Sequence, residues 1–121
     1  MADTVLVVED EPVVLDFLVE GLQAAGFVVV AARSVAEGFQ ALAQQAPVLL
    51  LTDLRLGTAW DGLAMIAKAR VGALHLPIIA ISGFGGDALD MAAVAGATLT
   101  LAKPFGMDRL LRVVMGVLAG R

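Results

Sequence analysis

The sequence contains no cysteine, which excludes disulfides and thiolate chemistry and leaves the redox compartment open. It has a single histidine. His75 lies in a loop with Gly72 and Pro77, has no second ligand nearby in sequence, and reads as a surface imidazole rather than a donor or metal ligand. Basic residues are few: eight against twelve acidic ones, a net charge of −4, with no basic cluster. A nucleic-acid surface is therefore not expected. Nor is there a membrane span. The longest apolar candidate, Val71 to Gly86, is broken by His75 and Pro77. The opening MADTVLVVEDE carries acids where a secretory signal needs basic residues. The expectation is a cytoplasmic protein that contacts neither membrane nor nucleic acid.

What is present is apolar. Hydrophobic residues make up 60% of 121, and the mean hydropathy is +0.90, enough for one compact domain with a real core. So apolar a small chain has either a partner-covered face or an Ala/Leu/Val-rich compositional bias. Repeats, linkers and tails are absent, so residues 1–121 are expected to form a single domain. Met1 suits a natural start, whereas LAGR at the end suits a terminus or a cut equally.

Two kinds of segment alternate. Short apolar runs cover 4–8, 27–31, 48–52, 77–81 and 98–102, and between them lie 12–25, 34–44, 62–70, 87–95 and 107–118, long enough for helices. Strand runs without polar alternation predict parallel strands covered on both faces, and the alternation predicts (βα)5. The punctuation agrees: Pro12 near the first position of helix 1 and Gly26 after it, a Ser34/Glu37 capping box, Asp61 as a cap for helix 3, and Gly96 ending helix 4. In the last helix Leu110, Leu111, Val114 and Leu118 share one face, and Val113 and Val117 are expected outside it.

The polar residues that resist a core explanation fall at strand ends: Glu9 and Asp10 after strand 1, Asp53 after strand 3, Ser82 ending strand 4, Lys103 after strand 5. In a parallel sheet these ends share one edge, where open α/β sheets place their sites. Taken singly, each has a plainer reading: a solvated helix start for Glu9-Asp10, a cap or surface charge for Asp53. If strand 1 lies next to strand 3, three carboxylates converge in one crevice with one lysine facing them. Crowded carboxylates need a cation or proton, and an all-oxygen set with few protein ligands favours Mg²⁺. With Asp53 as nucleophile, acids for the metal, and Ser82 and Lys103 for the oxygens, these are parts for receiving a phosphoryl group.

VLVVEDEP at 5–12, LLLTDLRLG at 49–57, DGLAMI at 61–66, PIIAISG at 77–83 and AGATLTLAKPF at 95–105 together resemble a bacterial two-component response-regulator receiver domain, over essentially the whole chain. The resemblance implies a doubly wound, flavodoxin-like three-layer fold with strand order 2-1-3-4-5. It implies a Mg²⁺-dependent phosphoacceptor at Asp53, charged by a phosphohistidine on a sensor histidine kinase or histidine phosphotransfer protein. Glu9 and Asp10 would hold the metal, Asp10 more directly, with Asp53 and the backbone carbonyl of Arg55. Ser82 and Lys103 would contact the phosphoryl group, and Pro104 would occupy the position of a cis peptide.

Three departures stand out. Thr100 replaces the aromatic residue that usually reports phosphorylation to the surface. The loop RLGTAW is one residue longer than the common form and brings Trp60 near helix 3, either packed on the sheet edge or as a binding contact. GFGGD at 83–87 stands where the fourth helix usually starts, and Phe84 there is either a moving group or a residue tucked over the core. Phe17, with Val13, is placed either on the outer side of helix 1, suited to docking a kinase, or against the last helix.

The expected function is a phosphorylation-controlled signalling module acting through an unidentified downstream protein, not a conventional enzyme. A phosphate-independent adaptor is the alternative, favoured by Thr100 and opposed by the intact acid, serine and lysine set. A small Mg²⁺-dependent phosphohydrolase shares the acids but would need a substrate pocket and a separate acid/base group, for which so short a chain offers little. The outer valines and alanines permit a homodimer through helices 4 and 5, or 1 and 5.

Overall fold

The computed structural model describes residues 2–57, 60–83 and 86–120. Five strands, β1 (Thr4–Val8), β2 (Val28–Ala32), β3 (Leu49–Asp53), β4 (Ile78–Ser82) and β5 (Leu99–Ala102), alternate with five helices. These are α1 (Pro12–Ala24), α2 (Val35–Gln45), α3 (Asp61–Gly72), α4 (Gly86–Ala95) and α5 (Met107–Ala119). All strands are parallel in the order β2-β1-β3-β4-β5. The doubly wound three-layer arrangement expected from the sequence is present.

Strand pleating divides the core in two. Leu6, Val8, Leu50, Ile78 and Ala80 point to one face, where Ala41 of α2, Met65, Ile66 and Ala69 of α3, and Ala88 and Ala92 of α4 cover them. Val5, Val7, Leu49, Leu51, Ile79, Ile81 and Leu101 point to the other, beneath Leu15, Leu18 and Leu22 of α1 and Leu110 and Val114 of α5. Each fully buried large aliphatic side chain is worth about 1.5–3 kcal/mol. Because both faces are covered, the central strands carry apolar residues without alternation.

Several boundaries differ from the sequence expectation. Strands β2, β3 and β4 each run one residue later, because Asp53 pairs with Ile81 and Ser82 with Ala102 in the ladder. Asp53 is thus the last residue of its strand rather than the one after it. Asp61 does not cap α3. Trp60 occupies the cap without a side-chain bond, and Asp61 is drawn into the first turn. The reason lies at Gly62, whose N–H bonds the carbonyl of Leu54 at 3.0 Å and pulls the helix start onto the end of β3. Val113 and Val117, expected outside, are half-buried against the α1/α5 core.

Other expectations are met. Ser34 Oγ accepts from the Glu37 amide at 3.2 Å, and Gly26 and Gly96 follow their helices at φ +100° and +123°, left-handed conformations that cost glycine little. Ala46 takes a similar conformation after α2, φ 43°, without that freedom. Arg70, near the end of α3, donates to the carbonyls of Ala73, Leu74, Leu76 and Gly96, tying the α3–β4 connection to the end of α4. Among the described residues no helix is long and apolar enough to cross a membrane.

Candidate functional site

The C-terminal ends of β1, β3 and β5 converge on an open pocket of about 340 Å³ lined by Asp10, Glu11, Asp53, Arg55, Gly57 and Lys103, among others. Its centre is a lysine between two carboxylates. Lys103 Nζ donates to Asp53 Oδ2 at 2.8 Å and to Glu9 Oε1 at 3.1 Å. Asp53 is buried and Glu9 is 1% exposed, so neither carboxylate draws full solvation from water.

The local backbone fixes these groups. Glu9 Oε2 accepts from the amide of Asp10 at 3.0 Å, and Asp53 Oδ1 from the amide of Arg55 at 3.2 Å. Asp10 Oδ2 accepts from the amide of Gly57 at 2.6 Å. That bond ties the loop after β1 to the loop after β3, with Gly57 in a left-handed conformation, φ +67°. Behind Asp53, a Cβ on Gly62 would run into the Asp53 carbonyl and the Leu54 backbone. Only glycine lets α3 begin this close to the nucleophile candidate.

The electrostatics follow from burial. Burial pushes the Glu9 carboxyl up from 4.5 to about 7, helped by the hydrogen bond and charge of the adjacent Asp53 and opposed by Lys103. For Lys103, burial disfavours the ammonium, but its hydrogen bond and charge pairing with Asp53, then with Glu9, outweigh this and raise its pKa above the ordinary value. One ammonium thus serves two buried acids, with Asp10 beside them. Glu9, Asp10 and Asp53 each offer an oxygen within 4.8 Å of the others. An all-carboxylate set that is short of positive charge fits a hard divalent cation such as Mg²⁺. Asp10 lines the pocket, whereas Glu9 is buried.

The structure brings Glu9, Asp10, Asp53 and Lys103 together as anticipated. Ser82 is buried at the end of β4, one residue past Ile81, the ladder partner of Asp53. Pro104 follows Lys103 through a cis peptide. Thr100 is half-buried in β5 opposite Ala80. Trp60 and Phe17 are each 42% exposed, and Val13, one turn before Phe17, is 81% exposed, so that pair stands on the outer side of α1. Phe84, and Thr58 and Ala59 of the RLGTAW loop, lie outside the described residues. Sequence reasoning did not foresee the Glu9–Lys103 pairing or the Asp10–Gly57 bond. The DG pair at 61–62 was a signal for the close approach at Gly62, but a cap at Asp61 was the more obvious reading.

Residues 5–115 match the family model of the response regulator receiver domain. The chain belongs to that family. It is 34% identical over 113 residues to the acid tolerance regulatory protein ActR of Sinorhizobium medicae, covering 93% of this chain and 58% of that protein. It is likewise 34% identical over 108 residues to the transcriptional regulatory protein KdpE of Mycobacterium tuberculosis, covering 88% of this chain and 47% of that one. The receiver domain of NtrX from Brucella abortus superimposes with a TM-score of 0.91 at 30% identity, covering 97% of this chain and 99% of that one. The receiver domain thus spans about half the length of the two curated relatives. Receiver domains are signalling modules that bind Mg²⁺ at an acidic pocket, and response regulators receive phosphoryl groups from histidine kinases.

Proposed function

We propose that this receiver domain accepts a phosphoryl group on Asp53 from the phosphohistidine of a sensor histidine kinase or phosphotransfer protein, and signals through a changed contact surface. The observation that carries this reading is the 2.8 Å bond from Lys103 to a buried Asp53 carboxylate within a cluster of acids. A carboxylate oxygen of Asp53 attacks phosphorus, the P–N bond of the donor breaks, and the electron pair leaves with the imidazole, which takes up a proton. Lys103 follows the charge onto a phosphoryl oxygen, a move its flexible stem and single ammonium suit. Ser82 supplies a hydroxyl to another oxygen. Asp10, Glu9, Asp53 and the Arg55 carbonyl are the groups that would hold Mg²⁺. When bound, that ion supplies charge neutralisation for the transferring group.

Catalysis here is positioning and electrostatics. The Arg55 amide holds Asp53 Oδ1, and Asp53 Oδ2 becomes available for attack as Lys103 releases it. The second reading, a module whose contacts do not depend on phosphate, rests on Thr100: a half-buried threonine cannot fill the volume of an aromatic switch. The experiment is intact mass after incubation with an acyl-phosphate donor and with a phosphorylated kinase domain, with and without Mg²⁺, beside Asp53→Ala. A single phosphoryl adduct requiring both Mg²⁺ and Asp53 is expected. No adduct from either donor, with Mg²⁺ bound normally, would favour the phosphate-independent module.

A further inference from the structure

At the opposite edge of the sheet, where the chain enters β3 and β4, the C-terminal halves of α2 and α3 leave a groove of about 810 Å³. Its size falls in the range of small-molecule pockets. Phe39, Leu42 and Leu76 form its apolar body and pack onto the core beneath. Lys68 and His75 are the only side chains lining it that carry or can take up positive charge, and no carboxylate lines it among the described residues. On a chain with twelve acids and a net charge of −4, a groove without an acid and with a lysine at its wall selects by charge.

Lys68 is held there without an anion. Its Nζ lies 5.2 Å from the centre of the Phe39 ring, and it makes no salt bridge among the described residues. The aromatic face stabilises the ammonium by about 0.5–1 kcal/mol at an exposed site and leaves its charge available to a carboxylate. The far wall is preformed. Arg70 Nη1 donates to the carbonyls of Ala73, Leu74 and Leu76 at 3.3, 3.0 and 2.6 Å. This fixes the loop that holds Leu74 outward, 71% exposed, and lowers the ordering cost of binding. The near wall contains Ala46, in a left-handed conformation at φ 43°, strain of the kind that collects at ligand sites.

We infer that this groove binds a small amphiphilic carboxylate, with its apolar body along Phe39, Leu42 and Leu76 and its head group paired with Lys68. Both walls connect to the acid pocket: Val48 leads directly into β3, which ends at Asp53, and α3 runs from the groove back to Gly62 beside the Asp53 carbonyl. Occupancy would therefore brace the two elements that position Asp53.

The test uses the 121-residue chain and sodium decanoate below its micellar concentration, followed by calorimetry and amide NMR, with decanol and decyltrimethylammonium as matched probes. The expected result is saturable 1:1 binding that shifts the amides of Leu42, Ala73 and Leu76, at least about tenfold tighter for decanoate than for decyltrimethylammonium. Lys68→Glu, at an exposed position that leaves the fold intact, is expected to weaken decanoate about fivefold, the scale of an exposed ion pair lost and reversed. Equal uptake of the three amphiphiles, an unchanged affinity in Lys68→Glu, or no saturation by about 5 mM would overturn the assignment. So would co-sedimentation with phosphatidylglycerol vesicles while free decanoate leaves these amides unmoved, which would make the groove a membrane contact.

Discussion

Glu9 offers a direct measure of how the acid pocket is balanced. Its carboxyl is raised from 4.5 to about 7 by burial and by Asp53, with Lys103 opposing. In the unfolded chain the proton leaves near the lower value, and in the folded chain near the higher one. Between them the folded state binds more protons, so stability falls as pH rises. The contribution is undiminished below pH 4.5, is lost progressively across the window, and levels off above 7. Integrating the two titrations between pH 5 and 8 gives a loss of about 2–3 kcal/mol, or roughly 10 °C in melting temperature for a domain of this size. Other acids also titrate, so the informative quantity is a difference. Urea unfolding of the wild type and of Glu9→Gln, both in EDTA, would be compared at half-unit pH steps. The wild type should lose about 2–3 kcal/mol more than Glu9→Gln over that range. Parallel curves would refute the reasoning, showing that water or Lys103 compensates Glu9 fully. A wild type that gains stability relative to the variant would reverse its sign.

Lys103→Met removes the cation that competes with a metal for Glu9 and Asp53, so Mg²⁺ should bind at least as tightly as in the wild type while the response to phosphodonor is lost. Calorimetry showing a tenfold loss of Mg²⁺ affinity would show that Lys103 builds the metal site instead. Gly62→Ala places a Cβ against the Asp53 carbonyl and the Leu54 backbone, neither of which can rotate away. Its expected cost of about 3 kcal/mol is measurable by urea unfolding, and a loss below about 0.5 kcal/mol would show that α3 shifts freely. Ala46→Gly relieves a left-handed backbone and should stabilise by about 0.5–1 kcal/mol after the entropic cost of glycine, read as a melting temperature about 2–4 °C higher.

Much of this was legible in residue order because the signals are local. Apolar runs of strand length between capped segments fix the alternation, and parallel strands put Asp10, Asp53, Ser82 and Lys103 at one edge whatever their exact ends. The strand order was not legible from periodicity and came from the family resemblance. Where local signals misled, a tertiary contact overrode them. Asp61 has the chemistry of a cap but loses the position because Gly62 must reach Leu54. Val113 and Val117 miss the helical stripe, yet the α1 side reaches round to half-bury them. Glu9 looks like half of a solvated pair; its burial depends on a lysine 94 residues away, a separation that no window on the sequence spans. The groove under Phe39 and Leu76 is likewise a product of assembly, since its two walls belong to different βα units.

Lys103 stands near the end of the chain, yet it reaches past β4 to both β3 and β1. During synthesis the acids come first, and the cation that offsets them arrives only with the final strand. An incomplete chain ending before residue 103 would bring Glu9 and Asp53 together with nothing between them, and the sheet edge β5 should cover would stay open. The charge balance of the pocket is therefore a property of the whole sheet: it closes only when the fifth strand joins the first and third.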